Sequence, residues 1–62
     1  MKSGSLFTTI SIDVILYRDD APHIIVKKNS VGLVVKVISD TYSRVLIDGH
    51  VGYFWKSEMC EL

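Results

Sequence analysis

The chain alternates apolar and polar residues over short stretches, which is the pattern of β-strands. Residues 8–14, 33–38, 42–47 and 50–55 alternate with a period of two and are rich in β-branched and aromatic side chains. A shorter apolar stretch lies at residues 24–26. No stretch shows the spacing of an amphipathic helix. The pattern therefore predicts an all-β domain of five or six strands.

Turn signals separate these stretches and indicate how they connect. Asp48-Gly49 lies between two alternating stretches and favours a two-residue turn whose twist matches the flanking strands. Residues 56–59 are too few for a stable helix and suit one 3₁₀ turn before a last strand at residues 60–62. At this chain length a barrel is favoured over an open sheet, because closure removes the exposed strand edges.

Composition limits the size of the core. Sixty-two residues allow one domain, and a chain this short buries only about 60% of its unfolded surface. Hydrophobic residues make up 48% of the chain, which favours an apolar face covered by another chain, either a partner or a second copy. The alternative is a well-filled core with scattered exposed valines and isoleucines. The single cysteine, Cys60, excludes an internal disulfide.

No segment of the sequence indicates insertion into a membrane or export. No apolar run approaches the roughly 18 residues of a membrane span. Residues 1–5 carry one charge but no long apolar segment comes after them, which argues against a signal peptide. We therefore expect no membrane association and a cytoplasmic location.

Residues suited to catalysis or metal binding are few. His23, His50 and Cys60 are the only strong zinc-ligand types and are widely separated, whereas a structural zinc site needs about four such ligands. The glycines are too far apart to form a phosphate-binding loop. We therefore expect no enzyme activity, no catalytic residues, no metal and no cofactor.

The end of the chain carries the clearest likeness to a known family. Gly52-Tyr53-Phe54 resembles the glycine-aromatic-aliphatic segment that precedes the 3₁₀ turn of SH3-like barrels. The resemblance covers residues 12–62. It implies a first barrel strand at 12–17, a long first loop at 18–30, central strands at 31–38, 43–47 and 51–55, and an inward-pointing residue at Phe54. Residues 1–9 would then form an N-terminal arm outside a barrel at 10–62.

Two positions depart from the peptide-binding members of that family. Trp55 and Glu58 stand where those members have a proline and a tyrosine, and the paired aromatics near the start of the first loop are reduced to Tyr17. The resemblance therefore implies the fold rather than the binding of proline-rich peptides. The general pattern looks more like small barrel proteins encoded by bacteriophages, which implies a virion structural or accessory component. Incorporation in a virion is then the alternative to a cytoplasmic location.

An outward aromatic face is the expected protein-binding site. If Phe54, Val45 and Ile47 point inward, their strand neighbours point outward, because side chains alternate along a strand. Large aromatic residues dominate interface hot spots. The alternative for Trp55 is that it packs beneath the 3₁₀ turn as a cover of the core. Apolar residues in the arm would add further contacts with a partner or a second copy. The expected protein-binding residues are Tyr42, Arg44, Tyr53, Trp55, Leu6 and Phe7.

A second resemblance leaves nucleic-acid binding as an alternative. Residues 31–38 and then residues 44–49 look like a KOW motif, whose family also folds as an SH3-like barrel and often binds RNA. Lys27, Lys28, Lys36 and Arg44 would then contact the phosphates. Seven basic and seven acidic residues cancel, however, and nucleic-acid binders usually have a basic excess. Protein binding is therefore the preferred hypothesis.

Overall fold

The structure is a computed structural model that describes residues 1–62. The chain is all-β, as the alternation predicts, and contains one 3₁₀ turn immediately before the last strand. No helix is long and apolar enough to cross a lipid bilayer. The elements in chain order are β1 Leu6–Thr9, β2 Val14–Leu16, β3 Ile24–Val26, β4 Val31–Val37, β5 Tyr42–Ile47, β6 His50–Trp55, the 3₁₀ turn Lys56–Glu58 and β7 Met59–Glu61.

The strands form two antiparallel sheets. Five of them form one sheet in the order β6-β5-β4-β1-β7, and β2 and β3 form a two-stranded sheet. Hydrogen bonding does not close the sheets into a complete barrel, so the SH3-like barrel stays a prediction. The meander of β4, β5 and β6 is confirmed. At its second turn Asp48 and Gly49 have φ of 52° and 77°, as a two-residue primed turn requires.

The expected N-terminal arm is wrong, because residues 6–9 form a strand inside the large sheet. Strand β1 pairs with β4 on one side and β7 on the other. Phe7 is completely buried and its ring meets the edge of Phe54 at 5.8 Å between centroids. A Cβ at Gly32 would lie 2.6 Å from Phe7 Cζ, so a glycine is needed opposite this ring. Phe7 is a core residue and is not available to a partner.

The expected first strand at residues 12–17 is also wrong in its first half. Residues 11–13 form a turn in which Asp13 has φ of 59°, and Ile12 is 78% exposed. The chain turns there because Thr9 ties the end of β1 to the far end of the loop. Its buried hydroxyl donates to the Lys27 carbonyl at 2.7 Å and accepts from the Ser30 N–H at 3.1 Å.

The alternation predicted along β4 fails after Val34. The pairing with β5 slips by one residue between Val34 and Lys36, so Val34 is buried opposite Val45 while Lys36 lies opposite Arg44. Such a slip places one extra residue on one strand and reverses the direction in which the later side chains of that strand point. Lys36 consequently lies on the outward face beside Arg44, and Val37 lies opposite the buried Ser43.

Both sheets contribute to one hydrophobic core. Each of the seven strands supplies one or two of its residues. The inward residues of β5 and β6 that alternation predicts are all present, which fixes the outward direction of their neighbours. The core consists of Phe7, Val14, Leu16, Val26, Val34, Val45, Ile47, Phe54 and Met59.

Candidate functional site

The outward face of the large sheet carries the four predicted aromatic and basic residues of β5 and β6. Tyr42 lies directly opposite Trp55, and Arg44 lies directly opposite Tyr53. Residues directly opposite each other on one face of an antiparallel pair are close enough for their side chains to interact. The structure therefore brings Tyr42, Arg44, Tyr53 and Trp55 together on one surface.

Tyr17 joins this surface from the first loop. Its backbone pairs with Tyr53, with N–H to carbonyl distances of 3.1 Å and 2.8 Å in the two directions. The close approach depends on Gly52, because a Cβ there would lie 2.6 Å from Leu16 Cγ and 2.7 Å from the Tyr17 carbonyl oxygen. The glycine of the Gly52-Tyr53-Phe54 segment thus places Tyr17 beside β6.

The aromatic rings form a continuous series of edge-to-face contacts. Tyr17 and Trp55 have centroids 6.4 Å apart, Trp55 and Tyr42 6.1 Å, and Tyr42 and Tyr53 6.1 Å, with interplanar angles of 78°, 71° and 69°. His23 extends the series, with its ring 5.1 Å from that of Tyr17. Aromatic pairs prefer this arrangement and gain about 0.5–1.5 kcal/mol from it. The rings therefore hold one another in place.

A hydrogen bond attaches the first loop to the sheet. The Tyr53 hydroxyl donates to Asp19 Oδ2 at 3.0 Å. This hydrogen bond, together with the negative charge of Asp19, raises the pKa of Tyr53 above its ordinary value of 10.0. Asp19 forms no salt bridge within the chain, whose one ion pair joins the Met1 ammonium to Glu61. The Asp19 carboxylate thus lies at the rim of the ring series without an ion pair, and Arg18 and Arg44 line the adjoining cleft with it.

These side chains enclose an open groove of about 410 Å³. Six of its seven lining residues are hydrophobic, and the only charged one is Asp19. Its volume lies within the roughly 300–1,000 Å³ typical of ligand-binding pockets. We call it the aromatic groove; its lining residues are Tyr17, Asp19, Ile38, Tyr42, Tyr53, Phe54 and Trp55.

A second apolar feature crosses the same face of the sheet. Leu6 lies opposite Leu33, Leu33 opposite Leu46, and Leu46 opposite Val51, so four aliphatic residues cross β1, β4, β5 and β6 in one line. We call this line the aliphatic row. Leu6 is 52% exposed and belongs to it, which places it on the predicted surface but outside the aromatic groove.

Sequence reasoning misses three residues of the groove. It marks Tyr17 only as the remaining aromatic of the first loop, and it assigns no role to Asp19 or Ile38. Ile38 comes after the slip in β4, and Asp19 reaches Tyr53 across 34 positions of the chain. No local pattern indicates either contact. The aromatic at Tyr17 is the one available signal.

The basic residues of the alternative hypothesis do not share one surface element. Lys36 and Arg44 lie opposite each other on the large sheet, and Arg44 neighbours Tyr53. Lys27 and Lys28 come after β3 of the small sheet. The structure therefore brings together two of the four predicted phosphate contacts.

No three His, Cys, Asp or Glu side chains cluster in a way that could hold a metal ion. Comparison with protein-family models, curated proteins and solved structures gave no match to this chain. The residues of the aromatic groove themselves offer four exposed or half-buried aromatic rings, one carboxylate and an apolar floor.

Proposed function

We propose that this chain is a non-enzymatic protein-interaction or assembly module that binds a partner through the aromatic groove. The observation that supports it best is the collection of four aromatic side chains, from two strands and a loop, around one open groove. Trp55 is 49% exposed, although it is the largest apolar side chain in the protein. Tryptophan and tyrosine are among the residues most enriched at interface hot spots.

The groove is organised before any partner arrives, which favours binding. The ring series fixes the side chains, Gly52 allows the close backbone approach of Tyr17, and the Tyr53–Asp19 hydrogen bond holds the loop. Ordering a side chain at an interface costs about 0.5–1.5 kcal/mol when it is free to move beforehand. A groove that is already ordered avoids much of that cost.

We also propose that the domain is an SH3-like barrel whose first strand is β1 rather than residues 12–17. The meander of β4, β5 and β6 and the 3₁₀ turn before β7 support the resemblance. Strand β1 takes the place of the predicted first strand, and the long first loop then spans residues 10–30 and contains the β2–β3 hairpin. A role in a bacteriophage virion stays a prediction of the resemblance alone.

Site-specific photo-cross-linking tests the proposed function. A photoreactive phenylalanine analogue replaces Ile38, which lines the groove and is 40% exposed. The matched control places the same analogue at Leu46, which is 39% exposed and lies in the aliphatic row. Both proteins are irradiated in the cells that produce them, and cross-linked partners are identified by mass spectrometry.

We expect the Ile38 position, and not the Leu46 position, to capture one defined protein. The captured protein is then purified, and its binding to Trp55→Ala is measured. A loss of roughly tenfold or more in affinity is expected for a hot-spot tryptophan. Equal capture from both positions, no capture, or binding unaffected by Trp55→Ala would each overturn the proposal.

Nucleic-acid binding is the second candidate, and one observation favours it. Lys36, Arg44 and Tyr53 lie side by side across β4, β5 and β6, so two cations neighbour an aromatic ring that can stack on a base. Binding of single-stranded RNA and DNA at several salt concentrations tests it. Phosphate contacts give an affinity that falls steeply with salt, and absence of binding at low salt removes this candidate.

A further inference from the structure

Strand β3 of the small sheet has one unpaired edge. It pairs with β2 alone, in an antiparallel register that places Ile25 opposite Ile15. None of the backbone hydrogen bonds outside the strand ladders involves residues 24–26. An exposed edge strand presents N–H and C=O groups that can pair with a strand of another chain. The small sheet can therefore be extended at β3.

The direction of the free backbone groups follows from the pairing of the neighbouring strands. Tyr17, immediately after β2, exchanges both backbone hydrogen bonds with Tyr53 of β6, so its polar groups point away from β3. Successive residues of a strand direct these groups to opposite sides. Leu16 therefore directs its groups to β3, and its partner Ile24 directs its own groups to β2. The N–H and C=O of Ile25 consequently point outward from the edge.

The exposed face of the small sheet is apolar at the same position. Ile25 is 66% exposed and Ile15, directly opposite it, is 43% exposed. If two copies of the chain met along β3, their isoleucine pairs would form a line of four across one continuous sheet. Removing such apolar surface from water favours association. The side chains at this edge therefore act in the same direction as the free backbone groups.

The charges on either side of β3 indicate what pairs with it. Residues 18–20 are one arginine and two aspartates, so the segment before β3 is acidic by one charge, whereas Lys27 and Lys28 after it are both basic. When this strand lies antiparallel to its own copy, the basic end of each chain lies beside the acidic end of the other. Opposite charges across an antiparallel pair stabilise it, and like charges destabilise it. The β3 edge is thus complementary to itself.

The edges of the large sheet do not share this property. Strand β7 is the outer strand at one end, and Glu58 and Glu61 lie on either side of Cys60 at its centre. Antiparallel pairing of β7 with its own copy would bring these carboxylates together. At the other end of the sheet, Tyr17 already pairs with the backbone of Tyr53 on β6. The charges therefore favour self-association at β3 over β7, and β6 is partly covered.

From these observations we propose that two copies of this chain associate through β3, with Ile25 at the two-fold axis. The two copies of Ile25 exchange N–H to C=O hydrogen bonds, and the small sheets join in the order β2-β3-β3-β2. Such an interface is small, so we expect a dissociation constant that is micromolar or weaker. No residue of β3 lines the aromatic groove, so the dimer does not depend on the proposed partner binding.

Sedimentation equilibrium of the full chain, at concentrations up to roughly 1 mM, tests for association. We expect a monomer–dimer equilibrium. Amide hydrogen exchange measured by NMR over the same range locates the interface. The Ile25 N–H should exchange more slowly as the concentration rises, because it becomes hydrogen-bonded in the dimer. The Ile24 N–H, which points to β2, should be protected equally at all concentrations.

Charge reversal tests the contacts between the two ends of the strand. The double variant Lys27→Glu/Lys28→Glu makes both ends acidic, and Asp20→Lys makes both ends basic, so each protein alone should self-associate about fivefold more weakly or worse. An equimolar mixture of the two should form a heterodimer about as tightly as the wild type, because opposite charges meet again at both ends. Asp40→Lys, in the loop between β4 and β5, makes the same charge change as Asp20→Lys and should not affect association.

A second variant tests the two-fold axis independently of these charges. Ile25→Lys places two like charges opposite each other at an edge and should abolish the dimer. Leu46→Lys makes the same change in the aliphatic row and should leave the dimer intact. Both side chains are exposed, so the variants should remain folded by circular dichroism.

A protein that stays monomeric at every concentration would overturn the inference. So would a dimer that persists in Ile25→Lys, one that Leu46→Lys disrupts instead, or a mixture of the charge variants that does not restore association. These outcomes are separable from failure of the proposed function. Photo-cross-linking at Ile38 and the affinity of Trp55→Ala report on the aromatic groove, which contains no residue of β3.

Discussion

The aromatic groove and the aliphatic row lie on the same face of the same sheet, and both expose apolar side chains. Trp55 in the groove is 49% exposed and Leu6 in the row is 52% exposed, so exposure does not distinguish them. The arrangement of their side chains does distinguish the groove from the row. The row is a line of four aliphatic residues with no polar group among them. The groove has inclined rings, a floor formed by Phe54 and a carboxylate at its rim.

This difference shows that an apolar surface becomes a candidate site through its shape and its polar groups. The row offers an apolar surface with no polar group that could fix the orientation of a bound molecule. The groove instead concentrates side chains whose large rings gain the most from burial against a partner. The row therefore provides matched controls for substitutions of apolar residues in the groove.

The largest expected effect is the loss of stability when a core residue beneath the sheet is truncated, compared with truncation of a residue in the aliphatic row. Phe7→Ala removes a fully buried ring and should lower the free energy of unfolding by about 3–5 kcal/mol. A core of this size supplies only about 3–5 kcal/mol in total, so the variant should be largely unfolded by circular dichroism. Leu6→Ala, one residue earlier and exposed, should cost about 0.5 kcal/mol or less. A folded Phe7→Ala protein would instead support the predicted N-terminal arm, in which Phe7 lies outside the core.

A smaller effect should result from closing the space at Gly52. Gly52→Ala places a methyl group against the Tyr17 carbonyl and Leu16, and overpacking of this kind costs about 1–3 kcal/mol. It should also separate Tyr17 from Tyr53, which amide exchange of the Tyr53 N–H would report as faster exchange. Val51→Ala, the neighbouring position in the aliphatic row, should leave that exchange rate unchanged. Similar exchange in both variants would show that the glycine does not control the groove.

The smallest expected effect is the pH dependence of the Tyr53–Asp19 hydrogen bond. Because the folded-state pKa of Tyr53 is raised, its contribution to stability is complete below the unfolded value near pH 10 and is lost as pH rises through the folded-state pKa. Ultraviolet titration of tyrosinate, with Tyr53→Phe to assign the signal, measures this pKa. Asp19→Ala removes both the acceptor and the charge and should lower this pKa, whereas Asp48→Ala should not. An unchanged pKa in Asp19→Ala would exclude Asp19 as the cause of the raised value.

Alternation along the chain is sufficient to predict the β5–β6 hairpin. Residues 42–55 have their inward and outward positions as predicted, because Asp48-Gly49 fixes the register between β5 and β6. It is insufficient at the N-terminus. Residues 8–14 alternate as one strand would, yet β1 ends at Thr9 because its hydroxyl binds Lys27 and Ser30 far along the chain. Local pattern carries no information about such partners.

The same distinction applies to the groove. Tyr42, Tyr53 and Trp55 are predictable because they share one hairpin. Asp19 and Ile38 are not, because one contacts the sheet across 34 positions and the other comes after a register slip that alternation does not reveal. Tyr17 reaches the groove through a backbone pair that Gly52 permits. The positions of Asp19, Ile38 and Tyr17 in the groove each depend on contacts between residues that are far apart in the chain.

The most direct test of the central claim is the dissociation constant of the captured partner for Trp55→Ala and for Leu46→Ala, each compared with the wild type. The two substitutions truncate exposed apolar side chains on neighbouring strands of one face. We expect Trp55→Ala to weaken binding by roughly tenfold or more and Leu46→Ala to change it by less than about twofold. Equal losses, or a larger loss in Leu46→Ala, would contradict the assignment of the aromatic groove as the binding site.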